Sequence, residues 1–244
     1  MIRFDKADDP RRRLLIRGLA AGFFGAITPG RGVLAADPVG TGGSKLPAGR
    51  SIYRMSGEVL VNGIPATLET RIFAGDTVET MKGAEIVFVV GGSSMMLRSG
   101  SRVELKAEQK GSVIITGLEM LVGSLLSVSR DRSMQIKTHT SVLGIRGTGF
   151  YVEADPQQTY FCVCYGVADI AASADTESRT TVVARQHDNP VYIVAGAPPG
   201  QNIRPAPLIN HTDQELMLIE SLVGRTPPFV FPAEIYNAPR RGYN

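Results

Sequence analysis

The stretch Thr138-His139-Thr140-Ser141-Val142-Leu143-Gly144-Ile145-Arg146-Gly147-Thr148-Gly149-Phe150-Tyr151-Val152 decides how this chain is read. Its β-branched and aromatic residues belong in a strand, yet Gly144, Gly147 and Gly149 crowd around one arginine. Glycine weakens a strand, so its repeated use marks a bulge, a bend or the close approach of another backbone. Side-chain alternation raises a second question. Val142, Arg146, Phe150 and Val152 share one parity, so an unbroken strand would aim Arg146 at the face that takes Phe150. Either a bulge near Gly147 resets the parity, or Arg146 is half-buried and paired with a carboxylate.

Outward from this stretch, short β runs alternate with turns from Ile52 onward. They cover 57–61, 77–80, 84–90, 101–105, 111–115, 124–128 and 134–138 before it, and 160–164, 167–170, 180–183 and 191–194 after it. Asn62-Gly63 is the strongest hairpin signal, and 86–90 reads as buried on both faces. Turn glycines recur near 75, 100, 123, 147 and 166, at intervals of 25, 23, 24 and 19 residues. Each interval holds about two short strands, the signature of stacked coils, with an ordinary sandwich as the alternative. A Gly count of 27 and the absence of Trp suit such a chain. The expected fold is all-β: a solenoid-like or sandwich stack of short strands, with one C-terminal helix and an extended tail.

The ends carry other signals. Arg11-Arg12-Arg13 precedes an apolar run, 18–27, too short for the ~20 residues of a bilayer span. Val33-Leu34-Ala35 supplies the small residues of a cleavage site, so 1–35 reads as an export signal with Arg11, Arg12 and Ala35 as its markers. It resembles a twin-arginine leader, although Pro10 stands where Ser or Thr is usual. An uncleaved anchor is the alternative. The leader holds seven of the 26 basic residues and three of the 23 acidic ones, so the remainder carries 19 and 20, a formal charge of −1. No basic run is left to neutralise phosphates, which argues against nucleic acid as a partner.

The rest divides into a Gly/Pro-rich linker (36–50), a β domain (51–195), a Pro-rich linker (196–211), and a helix over about 212–223 followed by a Pro-rich tail to 244. Thr212 or Asp213 can cap the helix, Glu215 sits in its first turn and Gly224 ends it. Leu216, Ile219, Leu222 and Val223 form an apolar stripe that docks on the β domain.

The search for chemistry is mostly negative. His139, His187 and His211 show no metal-ligand spacing, so no metal is expected. Gly91-Gly92-Ser93-Ser94 reads as a hairpin turn rather than a nucleophile elbow. Gly144-x-x-Gly147-x-Gly149 has the wrong order for a dinucleotide loop, and no helix follows. Asp76 and Asp155 sit at turns, where aspartate bonds its own backbone. Cys162 and Cys164 share one strand face about 6.5–7 Å apart, at or beyond disulfide reach, and read as small core residues or a disulfide. No catalytic residue and no cofactor emerge, and the chain reads as a non-enzyme.

Taken in order, these pieces resemble a FecR domain. The resemblance runs through Gly57-Glu58-Val59, Gly75-Asp76-Thr77-Val78, Gly83-Ala84-Glu85, Gly100-Ser101-Arg102-Val103 and Gly123-Ser124-Leu125. It then takes in Arg146-Gly147-Thr148-Gly149-Phe150, similar to that family's R-G-T-x-F strand, and the hairpin around Val163, Gly166 and Val167. It covers roughly 55–172. The family motif residues here are Gly75, Asp76, Gly100, Arg146, Gly147, Thr148, Phe150 and Gly166, and a structural role is expected for them. The resemblance implies a periplasmic β module. In founding members such modules relay iron-siderophore signals from an outer-membrane transporter to a cytoplasmic sigma factor.

Founding members also carry a helical sigma-binding unit ahead of their membrane helix. Only about a dozen residues precede the apolar run here, too few to fold alone, so direct anti-sigma activity is not expected. The expectation is an exported binding or signalling module that recognises an envelope protein or polymer through sheet edges and loops, with no stable membrane span after processing. A passive structural envelope protein is the alternative. A periplasmic enzyme is the third reading.

Overall fold

Asn62 and Gly63 turn the chain between β2 (Val59–Val61) and β3 (Ile64–Pro65) with φ of 54° and 78°. Two left-handed residues in a row are what a two-residue hairpin of right-twisted strands requires. The computed structural model describes residues 44–229, apart from the side chains of 130–132. The export signal, with Arg11, Arg12 and Ala35, most of the 36–50 linker and the end of the tail lie outside the described residues.

Thirteen strands among the described residues join one open sheet, and a single short helix near the C-terminus accompanies it. β1 (Ile52–Ser56), β4 (Thr77–Thr80), β5 (Glu85–Val90), β6 (Ser93–Leu97) and β7 (Arg102–Lys106) are short. β8 (Gly117–Lys137), β9 (Ser141–Ala154), β10 (Gln158–Ala172) and β11 (Asp175–Ala184) are long, and β12 (Val191–Val194) and β13 (Ile203–Pro205) close the list. The main path runs β13-β12-β10-β9-β8-β7-β4-β2-β3, with β11 also on β10, β6 also on β8, and β5 joining β6 to β1. The all-β expectation holds. No helix among the described residues is long and apolar enough to cross a membrane.

The long strands differ from the expected short ones. The runs 124–128 and 134–138 are both parts of β8, and 160–164 and 167–170 are both parts of β10. Gly123, Gly147 and Gly166 are left-handed inside these strands, so three of the five periodic glycines serve pairing irregularities rather than turns. The run 111–115 forms no strand and contributes one bridge, Ala74 with Ser112. The 196–211 linker contains β13, whose Pro205 is tolerated because the strand pairs with β12 alone among the described residues.

The parity question resolves at Gly147. Leu143 and Ile145 face the main core, whereas beyond the bulge Phe150 and Val152 do so. The pairing with β10 slips twice between Val163 and Val167, and with β8 between Ser129 and Ser133. Arg146 and Phe150 therefore point to opposite faces. The bulge resets the parity, and of the second alternative only the carboxylate partner is present, Asp169 at 3.0 Å. That pair is on the surface, at 56% and 52% side-chain exposure, rather than half-buried.

A second apolar cluster covers the other face of the central strands. Val87, Met96, Leu126, Val128 and Tyr151 meet Leu216, Ile219 and Leu222 of helix α1 (Asp213–Leu222). Burying those three side chains stabilises docking by about 1.5–3 kcal/mol each. Thr212 caps the helix in a reciprocal capping box with Glu215, and Gly224 follows its end at φ +73°.

Candidate functional site

The expected motif residues lie in β9 and β10 or in the turns beside β4 and β7. The buried Asp76 carboxylate accepts from Asn62 Nδ2 at 2.8 Å and from the Phe73 amide at 2.7 Å. Gly75 and Gly100 are left-handed at φ +95° and +64°. Thr148 is buried and donates to the Val167 carbonyl at 3.2 Å, and Phe150 packs on Phe161 with ring centroids 6.0 Å apart. At Gly166 a Cβ would lie 2.6 Å from the Gly147 carbonyl oxygen, so the bulges of β9 and β10 touch backbone to backbone. Arg146 and Asp169 line a shallow surface groove with Gln135 and Gly144.

Chemistry gathers elsewhere, beneath α1. Tyr160, Cys162 and Cys164 alternate out of β10 toward the face that the helix covers. The loop after β11 turns back on the Asp188 carboxylate, which accepts from the Arg185 and Gln186 amides. Asp188 is lowered by those two amide hydrogen bonds. His187, left-handed at φ +54°, then bonds its amide to the Cys164 carbonyl at 2.9 Å and turns its ring inward. His211, on the segment entering α1, is buried and stacks on Tyr151 at 4.5 Å. His139 stays exposed in the β8–β9 turn.

The result is a four-residue cluster. The Cys162 and Cys164 sulfurs and one ring nitrogen each of His187 and His211 all lie within 4.8 Å of one another. Cys162 Sγ is 3.6 Å from His187 Nδ1, which is 3.1 Å from His211 Nε2. The outer nitrogens are engaged: His187 Nε2 with Asp213 Oδ1 at 2.7 Å, His211 Nδ1 with the Ile209 carbonyl at 2.7 Å. Both cysteines are free thiols and fully buried.

Electrostatics divide the pair. Cys164, then the two imidazoles, hydrogen-bond the Cys162 sulfur and pull its thiol well down against the penalty of burial, whereas burial pushes Cys164 up. Burial opposes the charged form of His187, but hydrogen bonds to Asp213 and Cys162 outweigh it and raise the ring to about 9. Around the cluster, Tyr165 donates to Glu220, which pairs with Arg225 at 3.0 Å, and Arg98 reaches Glu215 at 2.9 Å.

Cys162, His187 and Asp213 line up like a nucleophile, base and orienting acid. Hydrolysis also needs substrate at the sulfur, and Cys162 has no exposed surface. Sequence reasoning missed this cluster because its histidines stand 23 and 47 residues beyond Cys164, on loops whose return to one strand face leaves no spacing signature.

Two crystal structures, at 2.50 and 1.65 Å resolution, of a candidate anti-sigma factor from Parabacteroides distasonis are similar at a TM-score of 0.41 and 17% identity. The similarity covers 53% of this chain and 58% of that one, so the chain spans little more than half of its neighbour's length. No curated protein matches the chain. The family described as FecR protein matches residues 76–169, a span that contains Cys162 and Cys164 and stops short of His187, His211 and Asp213. Across those residues the chain is similar to the FecR family.

Proposed function

We propose that this chain is an exported, non-enzymatic FecR-like module that binds an envelope protein and acts in signalling. The FecR match supports the class of function. The observation that carries the binding mode is the outer edge of β11. That strand pairs only with β10 among the described residues, while β12 takes another stretch of the same β10 edge. Between β11 and β12–β13 lies a groove of about 410 Å³ lined by Arg179, Thr181, Val183, Val191, Ile203 and Arg204. Val183 is 66% exposed there. A ten-residue strand with one open edge beside an apolar-and-basic groove offers main-chain pairing and side-chain pockets to an extended partner segment.

The test is a photo-crosslinking residue at Val183 in intact cells, with Ile64 on the β3 edge as control. One discrete protein adduct from position 183 and none from 64 is the expected result. Equal smearing from both positions into wall polymer favours a passive structural role instead. The N-terminus of the envelope-fraction protein should be Ala36, and recovery of the unprocessed chain in the cytoplasm overturns export.

A further inference from the structure

We propose that Cys162, Cys164, His187 and His211 form a tetrahedral Cys₂His₂ centre that binds one zinc(II) ion and pins the segment after the sheet onto the FecR-like domain. The first support is geometric. Tetrahedral zinc with its usual bond lengths sets ligand atoms apart by about 3.3 Å (N–N), about 3.5 Å (S–N) and about 3.8 Å (S–S). The observed N–N and S–N separations are 3.1 and 3.6 Å, and no pair exceeds 4.8 Å. Four donors within 4.8 Å of one another are compatible with the ligand shell of a single ion, and are too close for a binuclear iron–sulfur cluster.

The second support is the outer ring of hydrogen bonds. A carboxylate at His187 Nε2 and a carbonyl at His211 Nδ1 are both acceptors, so each outer nitrogen carries a hydrogen. That arrangement leaves His187 Nδ1 and His211 Nε2 as the inward nitrogens, 3.1 Å apart. A positive centre belongs between them, a proton in the metal-free chain or a metal ion. A proton engages two of the four donors, whereas a metal ion engages all four. Acceptors placed behind ligating imidazoles are the usual outer shell of zinc sites.

Charge and access fit the same reading. Two thiolates neutralise a divalent ion, so the loaded centre is electroneutral in a buried place, and any thiol proton leaves to solvent on binding. Four protein ligands and no exposed sulfur describe a closed, structural site. Two sulfur and two imidazole donors favour zinc over calcium or magnesium. The disulfide alternative must bridge two residues on one strand face whose Cα atoms are about 6.5–7 Å apart.

The experiment uses the full chain purified without chelator. Elemental analysis should give about one zinc per chain, and stripping with a strong chelator should lower the melting temperature by more than about 5 °C, recovered by adding zinc alone. Cobalt(II) should give the intense visible bands of a tetrahedral thiolate site, lost in Cys164→Ser and His211→Gln. Should those variants not fold, the chelation cycle on the unmodified chain decides by itself. No metal uptake with a melting temperature indifferent to chelator, a chain lighter by two hydrogens from a Cys162–Cys164 disulfide, or iron with labile sulfide in place of zinc would each overturn the proposal.

Discussion

His187 Nε2 and Asp213 Oδ1 meet at 2.7 Å, joining the loop after β11 to the first residue of α1 across 26 positions of sequence. The contact does two things. It orients the imidazole toward the thiols of β10, and it sets the helix entrance on the sheet, where Asp213 and Glu215 also complement the positive end of the helix dipole. Apolar burial of Leu216, Ile219 and Leu222 is non-directional, so polar pairs of this kind select the register in which the helix docks.

The second such pair is Arg98 with Glu215, 2.9 Å apart at 11% and 8% side-chain exposure. Arg98 also donates to the Asn210 carbonyl at 3.0 Å. Arg98→Ala removes the cation from a buried carboxylate and should destabilise by about 3 kcal/mol. Glu215→Gln keeps the capping geometry. A double-mutant cycle by denaturant titration should give a coupling of about 1–3 kcal/mol, and additivity within about 0.5 kcal/mol would show that the two side chains act independently.

Gly166 tests the contact between bulges. Alanine there adds a Cβ 2.6 Å from the Gly147 oxygen, on a backbone at φ +98°. Gly63, at φ +78°, has nothing within 4 Å of such a Cβ. Gly63→Ala should lose about 1–2 kcal/mol from backbone conformation alone, and Gly166→Ala about 3 kcal/mol or more. Equal losses would mean that the backbone approach is unimportant.

These glycines also show where the sequence could be read and where it could not. Asn62-Gly63 was legible because a two-residue turn has its own residue chemistry, and the helix because Thr212, Glu215 and Gly224 punctuate it. A lone left-handed glycine is ambiguous: it serves a turn at Gly100 and a bulge at Gly147, and only the pairing partner decides. The cluster beneath α1 was illegible for a related reason. Cys162 and Cys164 looked like small core residues, and they are buried, but what they face comes from loops at 187 and 211.

Arg146, prominent in the sequence, is expected to contribute least among its neighbours. Its pair with Asp169 is more than half exposed on both sides, which places Arg146→Ala at about 0–1 kcal/mol. Thr148→Val takes a buried donor from the Val167 carbonyl and should cost about 1–2 kcal/mol. Phe150→Ala opens the main core beside Phe161 and should cost about 3–5 kcal/mol. Thermal melts of the three variants should rank in that order, and a large loss for Arg146→Ala would reinstate it as a buried lock.

Acid should release the β10–β11 turn before the core. The Asp175 carboxylate accepts from the Ser178 hydroxyl and the Gly200 amide, both at 2.7 Å, and from the Glu177 amide at 3.0 Å. Those bonds, Ser178 foremost and then Gly200, lower its pKa in the folded chain. A carboxyl group depressed on folding contributes stability above its unfolded pKa of about 3.9 and loses it as pH falls through the lower folded value. Asp175→Asn should therefore melt below the unmodified protein at neutral pH, and the gap should shrink once pH drops under about 4. Persistence of the full gap at the acid end would show that the carboxylate charge plays no part in holding the Gly200 loop against the hairpin.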